Sequence, residues 1–302
     1  MTPTCTVVIP THRRPARLRE CLAALADLDY PRAALDVVVV GDFAGERPVA
    51  PPGLDVAFFP YAELLPAARR NEGARRARGE LIVFVDDDCQ PARDWLRLLV
   101  DAWQENPGAA LGGHTWNTLR SNPYAEASQL VINIGYRQNG EEPNAARFFT
   151  TDNLLVPRAD FLDLGGFDES FWTAEDREFC DRWMASGRRM AYVPDAIVWH
   201  AHPIGLRGFL KRNWHYGRGA QRYWRKRAAA GREPFRPDPE FYATVARAPW
   251  RQPAMRKRLT LLLSTWHLLN TAGFVYEAML ARIGRSPGVA RAVPYSAETG
   301  DG

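Results

Sequence analysis

Leu81-Ile82-Val83-Phe84-Val85-Asp86-Asp87-Asp88 runs five apolar residues into three consecutive acids. A short unbroken apolar run reads as a strand covered on both faces. Three adjacent carboxylates at its C-terminal end repel one another unless a cation or strong donors face them. Open α/β sheets bind ligands just beyond the carboxyl ends of their strands. The stretch therefore predicts a buried strand delivering acids to a hard-cation site where a nucleotide-type ligand would lie. A polar turn after an ordinary strand is the bland alternative.

The flanking sequence repeats the strand pattern. Thr6 to Ile9, Val37 to Val40 and Val56 to Phe59 are further apolar runs. Pro15 opens a helix with Leu18, Leu22, Leu25 and Leu28 on one stripe, and Pro66 to Arg78 reads as a second helix stopped at Gly79. Strands alternating with helices imply a mostly parallel sheet with helices on both faces. From His114 to Arg158 the pattern is irregular and places no strand. Order returns with a short helix at Arg158 to Leu164, a turn at Gly165 to Asp168, and a helix from Glu175 to Ser186 ended by Gly187. Tyr192 to Trp199 is extended around Pro194. Beyond Pro203 the chain becomes basic, helical and rich in Trp and Tyr, with breaks near Pro234 to Pro239 and at Pro249 and Pro253.

Composition narrows the class. The 302 residues, 46% apolar and 25% charged, suit one large domain or a domain with an appendage. The net charge of +4 is modest but unevenly distributed: Lys and Arg crowd the stretch from Arg207 to Arg258, which points to an anionic partner, either lipid head groups or a phosphorylated substrate. Cys5, Cys21, Cys89 and Cys180 show no paired spacing and read as reduced thiols. The chain enters a strand within a few residues with no charged-then-apolar leader, so no secretory signal is expected, and with reduced thiols a cytoplasmic location is the expectation. Leu259 to Leu280 is the most apolar stretch, yet it contains His267, Asn270 and Glu277 and has Arg and Lys at both ends. That pattern disfavours a membrane span. It suits a helix packed on the domain or lying on the inner face of an anionic membrane. The interleaved cations and rings at Arg212 to Tyr216 and Arg222 to Arg225 would also suit nucleic acid, but lipid or acceptor is the preferred partner.

Three clusters carry chemistry. Asp86 and Asp88, one residue apart at a strand end, can be aimed by a tight turn at one Mg²⁺ or Mn²⁺. Trp172-Thr173-Ala174-Glu175-Asp176 opens a helix, where acids are ordinary dipole partners, but Asp176 could equally serve as a general base. Trp199-His200-Ala201-His202-Pro203 ends an apolar run and could supply one metal ligand, from either histidine, or be structural.

Together these blocks resemble family 2 glycosyltransferases of the GT-A fold. Thr6 to Pro15 is similar to the opening strand and loop of that family. Ala68-Arg69-Arg70-Asn71-Glu72-Gly73, followed by Ala77 to Glu80 and Val85 to Asp88, resembles its run into the DxD motif. Gly165-Gly166-Phe167-Asp168 with Ala174 to Phe179 resembles its acceptor-side block, and Pro194 to His200 resembles the end of that region. The match covers about residues 4 to 203 in the family's order.

The resemblance implies an α/β fold of GT-A type with a Rossmann-like nucleotide-binding half and a C-terminal helical extension. The implied division is 1–115 for the nucleotide sugar, 116–203 for the acceptor and 204–302 for the extension. It implies inverting transfer from a nucleotide-diphosphate-sugar, with uridine as the default base, to a hydroxyl of a glycan, lipid-linked or small-molecule acceptor in envelope or polysaccharide synthesis. Pro10, Thr11, Arg14, Asp42, Asn71, Arg78, Asp86 and Asp87 would serve the nucleotide and donor, and Asp152, Asn153, Trp172 and Glu175 the sugar and acceptor. Asp86, Asp88 and His200 would hold Mn²⁺ or Mg²⁺, and Asp176 would be the base. One departure stands out: Gly41 replaces the acid that usually reads the base, leaving Asp42 as its substitute. The competing readings are a relative that binds nucleotide sugars without chemistry and, more remotely, a nucleotidyltransferase.

Overall fold

The structure is a computed structural model describing residues 2–46, 48–61, 65–138 and 148–284. Part of the expected acceptor segment, 139–147, and the end of the extension, 285–302, lie outside the described residues. The chain divides into two compact units. The first comprises residues 1–118, 139–169 and 175–201, and the second 119–138, 170–174 and 202–302.

The first unit is built on a sheet of β1 (Cys5–His12), β2 (Leu35–Asp42), β3 (Asp55–Pro60), β4 (Leu81–Phe84), β5 (Cys89–Pro91), β6 (Ala110–Asn117), β7 (Leu154–Pro157) and β8 (Met190–His200). Their spatial order is β3-β2-β1-β4-β7-β6-β8-β5. The β3, β2, β1 and β4 strands run parallel, with helices in the β1–β2 and β3–β4 crossovers and, among the described residues, a helix-free connection between β2 and β3. Beyond β4 the sheet is mixed: β7 is antiparallel to β4 and β6, β8 is parallel to β6, and β5 closes the edge antiparallel to β8. Leu81 to Val85 are fully buried, in keeping with a central strand covered on both faces.

Helices α1 (Pro15–Ala26), α2 (Pro66–Arg76), α3 (Trp95–Glu105), α5 (Arg158–Asp163) and α6 (Glu175–Ala185) belong to this unit. The α1 stripe of Leu18, Leu22 and Leu25 enters the core with Val7, Ile9, Val37 and Val39, each side chain contributing about 1.5–3 kcal/mol on burial. Helix α2 stops at Arg76, two residues before the expected end, because Ala77 takes an extended conformation at φ −58°, ψ 140°. Phe84, Phe161, Phe167 and Phe179 form an aromatic group with centroids 5.0–5.2 Å apart, which ties the Gly165-Gly166 turn to the sheet.

Gly41 is explained by packing. It pairs with Thr11 across the β1–β2 ladder, and an added Cβ would lie 1.9 Å from the Thr11 carbonyl oxygen. No acid fits there. Gly41→Ala should cost about 3 kcal/mol or more, as forced contacts against backbone do; a thermal melt matching wild type would contradict this close approach.

The second unit gathers α4 (Pro123–Gln138), α7 (Leu206–Ala229), α8 (Pro239–Arg247) and α9 (Arg256–Arg282) around Phe209, Leu259 and Leu263. Its two long helices cross closely at glycines: a Cβ on Gly217 would sit 2.0 Å from Asn270 O, and one on Gly273 2.3 Å from Trp214 O. Glu277, fully buried, accepts hydrogen bonds from Arg218 and Arg222 at 2.8 and 2.7 Å. Among the described residues, no helix is long and apolar enough to cross a membrane.

Candidate active site

The three acids leave β4 at the carboxyl end of the parallel strands and are met there by two arginines. Arg14, in the loop after β1, places Nη2 2.6 Å from Asp87 Oδ1 and Nη1 2.7 Å from Asp88 Oδ2. Thr11 Oγ1 donates to Asp87 Oδ2 at 2.6 Å. Burial pushes the Asp87 carboxyl up to about 7, and Arg14 works against that shift. Arg70, on the buried face of α2, reaches Asp86 Oδ1 with Nη2 at 2.6 Å and Glu175 Oε1 with Nη1 at 3.0 Å. One guanidinium thus joins the acids after β4 to the acids that open α6.

The short strand β5 brings the histidine in. Cys89 is the register partner of His200, and the Ala201 N–H donates to Asp88 O at 2.9 Å. His200 Nε2 lies 3.3 Å from Asp88 Oδ1. Although burial pulls its pKa down, Asp88, Asp152 and Asp86 outweigh that and raise it. Asp88 and His200 can therefore offer an oxygen and a nitrogen to one divalent ion. Asp86, also expected as a ligand, is engaged with Arg70. His202 begins the second unit.

Asp176 sits in the first turn of α6 and keeps part of its surface open to solvent. Its Oδ1 accepts from the Arg177 N–H at 2.7 Å. Burial, then the neighbouring Glu175 charge, pushes its carboxyl up to about 7. Glu175 is raised as well, chiefly by burial and against Arg70. Ala174, just before this turn, holds φ at 72°, a conformation costly for a residue with a Cβ.

The remaining expected residues divide. Pro10 lies in β1 beside Thr11, while Asp42 ends β2 with Oδ2 3.9 Å from His12 Nδ1 and Oδ1 accepting from the Ala44 N–H at 2.8 Å. A recess of about 70 Å³ lined by Thr11, Asp42 and Phe43 opens there. Asp152 is buried, its carboxyl raised by that burial, and accepts from Thr150 Oγ1. Two asparagines make hydrogen bonds to protein. Asn71 donates to Phe167 O at 2.8 Å and accepts from Phe167 N at 2.8 Å, holding the glycine turn. Asn153 donates to His114 O and Ala196 O and accepts from Trp95 Nε1.

Arg78 is not brought to the site. Exposed, it pairs with Asp36 and Asp55 at the beginnings of β2 and β3, the opposite end of the sheet. Trp172 falls in the 170–174 segment of the second unit, its ring centroid 6.5 Å from that of His215. A cavity of about 740 Å³ beside Tyr30 and Arg97 also lies at the amino ends of the strands and contains none of these carboxylates.

Arg70 is the residue that reasoning from sequence passed over. Positions 66, 67, 73 and 74 of its own helix are Pro, Ala, Gly and Ala, none of which can pair with it. A buried arginine without a helical partner must find its anion elsewhere in the fold.

Known proteins match in three ways. A family model described as Glycosyl transferase family 2 matches residues 6–165. The pre-mycofactocin glycosyltransferase of Mycobacterium tuberculosis is 29% identical over 226 residues, covering 71% of this chain but 46% of that protein, so the chain spans about half that relative's length. Glycosyltransferase AglE of Haloferax volcanii is 25% identical over 232 residues, 74% of each chain. From the same organism, glucosyl-dolichyl phosphate glucuronosyltransferase is 27% identical over 43% of this chain and 46% of its own. Among solved structures, the mannosyltransferase PcManGT of Pyrobaculum calidifontis, in complex with GDP-Man and Mn²⁺, superposes with a TM-score of 0.58 at 22% identity, covering 95% of this chain and 86% of that one. S. aureus TarS in complex with UDP-GlcNAc gives 0.54 at 15% identity, covering 93% and 92%. At these identities the structural likeness establishes the fold, which is GT-A.

Proposed function

The chain belongs to glycosyl transferase family 2, and we propose on that premise that it transfers a sugar from a nucleotide-diphosphate-sugar to an acceptor hydroxyl, with inversion and with help from Mn²⁺ or Mg²⁺. The observation that carries this reading is the Arg70 bridge, which couples the acids after β4 to the acids opening α6. A donor group and an acceptor group have to be held in fixed register for a displacement, and this link supplies it.

The donor set fits a hard divalent cation. Asp86, Asp87, Asp88, Asp152 and Glu175 outnumber Arg14, Arg69 and Arg70, and Asp88 stands beside the imidazole of His200. Asp88 and His200 would hold the ion, with Asp86 beside them. When bound, it would neutralise charge growing on the departing diphosphate. Arg14 and Thr11 fix the acids that face it, and Asp42 would read the base at the end of β2. Asp176 takes the proton from the acceptor hydroxyl as that oxygen attacks the anomeric carbon, opposite the leaving nucleoside diphosphate. A single in-line displacement inverts the centre.

Uridine is the first base to test and guanosine the second, since the two structural neighbours were solved with UDP-GlcNAc and GDP-Man. A lipid-linked acceptor is the working choice, by likeness to the dolichyl-phosphate relative. The reading is tested by equilibrium binding of UDP and GDP with Mn²⁺ and with chelator. One diphosphate should bind only with metal, and His200→Ala should weaken Mn²⁺ affinity by at least about tenfold. Equal binding with and without metal would count against the site.

A further inference from the structure

We propose that α9 lies on an anionic lipid surface, using an apolar stripe with basic ends. Leu261, Leu268, Val275 and Met279 recur at intervals of 7, 7 and 4, which places them on one side of the helix, and Ile283 continues the spacing at its C-cap. They are 69%, 66%, 45%, 58% and 62% exposed. The stripe extends for about 33 Å at 1.5 Å per residue. Solvated leucine and methionine in such a line form a surface that a partner covers.

Charge identifies the partner. Arg256, Lys257 and Arg258 are exposed at the start of α9 and Arg282 at its end. The one acid of the helix, Glu277, is fully buried against Arg218 and Arg222, so its solvent face carries no negative charge. Helix α7 has eight Lys and Arg and no acid. Three cations at a helix N-terminus oppose the helix dipole and weaken the helix they begin. Their placement therefore makes sense toward an external anion. Pairing of two copies through this face would set cation against cation. A span is not available to a helix of this hydropathy. An apolar stripe rimmed by cations matches the acyl boundary and head groups of an anionic leaflet.

The test is co-sedimentation of the full chain with vesicles of phosphatidylcholine alone and of phosphatidylcholine with phosphatidylglycerol. Binding should favour the anionic vesicles at least about tenfold and weaken at high salt. Leu261→Ser with Leu268→Ser and Met279→Ser should lower partitioning at least about tenfold. Arg256→Gln with Lys257→Gln and Arg258→Gln should lower it roughly 100-fold and remove most of the salt dependence. Thermal melts keep the comparison to folded protein, since none of these six side chains is buried. No binding to anionic vesicles, or unchanged binding by the stripe variant, would overturn the proposal. So would a wild-type dimer in solution that the stripe variant dissolves.

Discussion

Asp176→Asn should lower turnover by about 10²- to 10⁴-fold while leaving nucleotide binding intact. The amide keeps the size of the side chain and removes its ability to take a proton. The pH dependence carries the same signature. A base whose carboxyl is pushed up to about 7 is ionised only above that pH, so wild-type turnover should rise through about pH 7 and level off. The residual activity of the Asn protein should lack that limb.

Stability should move the other way. The folded pKa of Asp176 stands above its ordinary value of 3.8, so the native state binds the extra proton between about 4 and about 7. Stability is therefore lost as pH rises through that window, and the full cost remains above it. Removing the buried charge should raise stability at pH 8 by about 1–2 kcal/mol, reduced from the full shift because the group keeps solvent access. Below pH 4 the gain should vanish. A variant with wild-type turnover removes Asp176 from the role.

Arg70→Met should be the most damaging single change. It leaves the buried Glu175 and the half-buried Asp86 without their shared cation. Breaking a buried pair from one side costs about 3–5 kcal/mol, or roughly 10 °C in Tm for a chain of this size. Transfer should fall with it, since the link between the two acid groups is lost. Adding Glu175→Gln should recover part of the Tm, because one uncompensated charge is gone, without recovering transfer. A melt within 1–2 °C of wild type, roughly the effect of a neutral surface change, would show that the bridge contributes little.

Much of this was legible in the amino-acid order. The apolar run into Asp86-Asp87-Asp88 announces both its burial and its acids, because a central parallel strand has no polar face to show. The α1 stripe and the Gly165-Gly166 turn were equally plain. Three features were hidden for physical reasons. Strand β5 has only three residues, too few for any period to show, yet it brings His200 to Asp88. Strand β7 and the antiparallel ladders on either side of it depend on pairs far apart in the chain, such as Leu81 with Pro157 and Leu111 with Leu155, which no local pattern encodes. Asn71, Asn153 and Arg78 have site-like chemistry, but their partners are chosen by the fold: a turn, three neighbouring elements and the far end of the sheet. The close approach of Gly41 to Thr11 is likewise set by the β1–β2 pairing and not by any local pattern.

The most direct measurement is release of nucleoside diphosphate from a panel of UDP-, GDP- and dTDP-sugars by the purified chain with Mn²⁺, with Mg²⁺ and with chelator. The account predicts release from one donor class, dependent on metal and lost in Asp176→Asn. Release that persists in chelator, or the absence of both release and nucleotide binding across the panel, would contradict it.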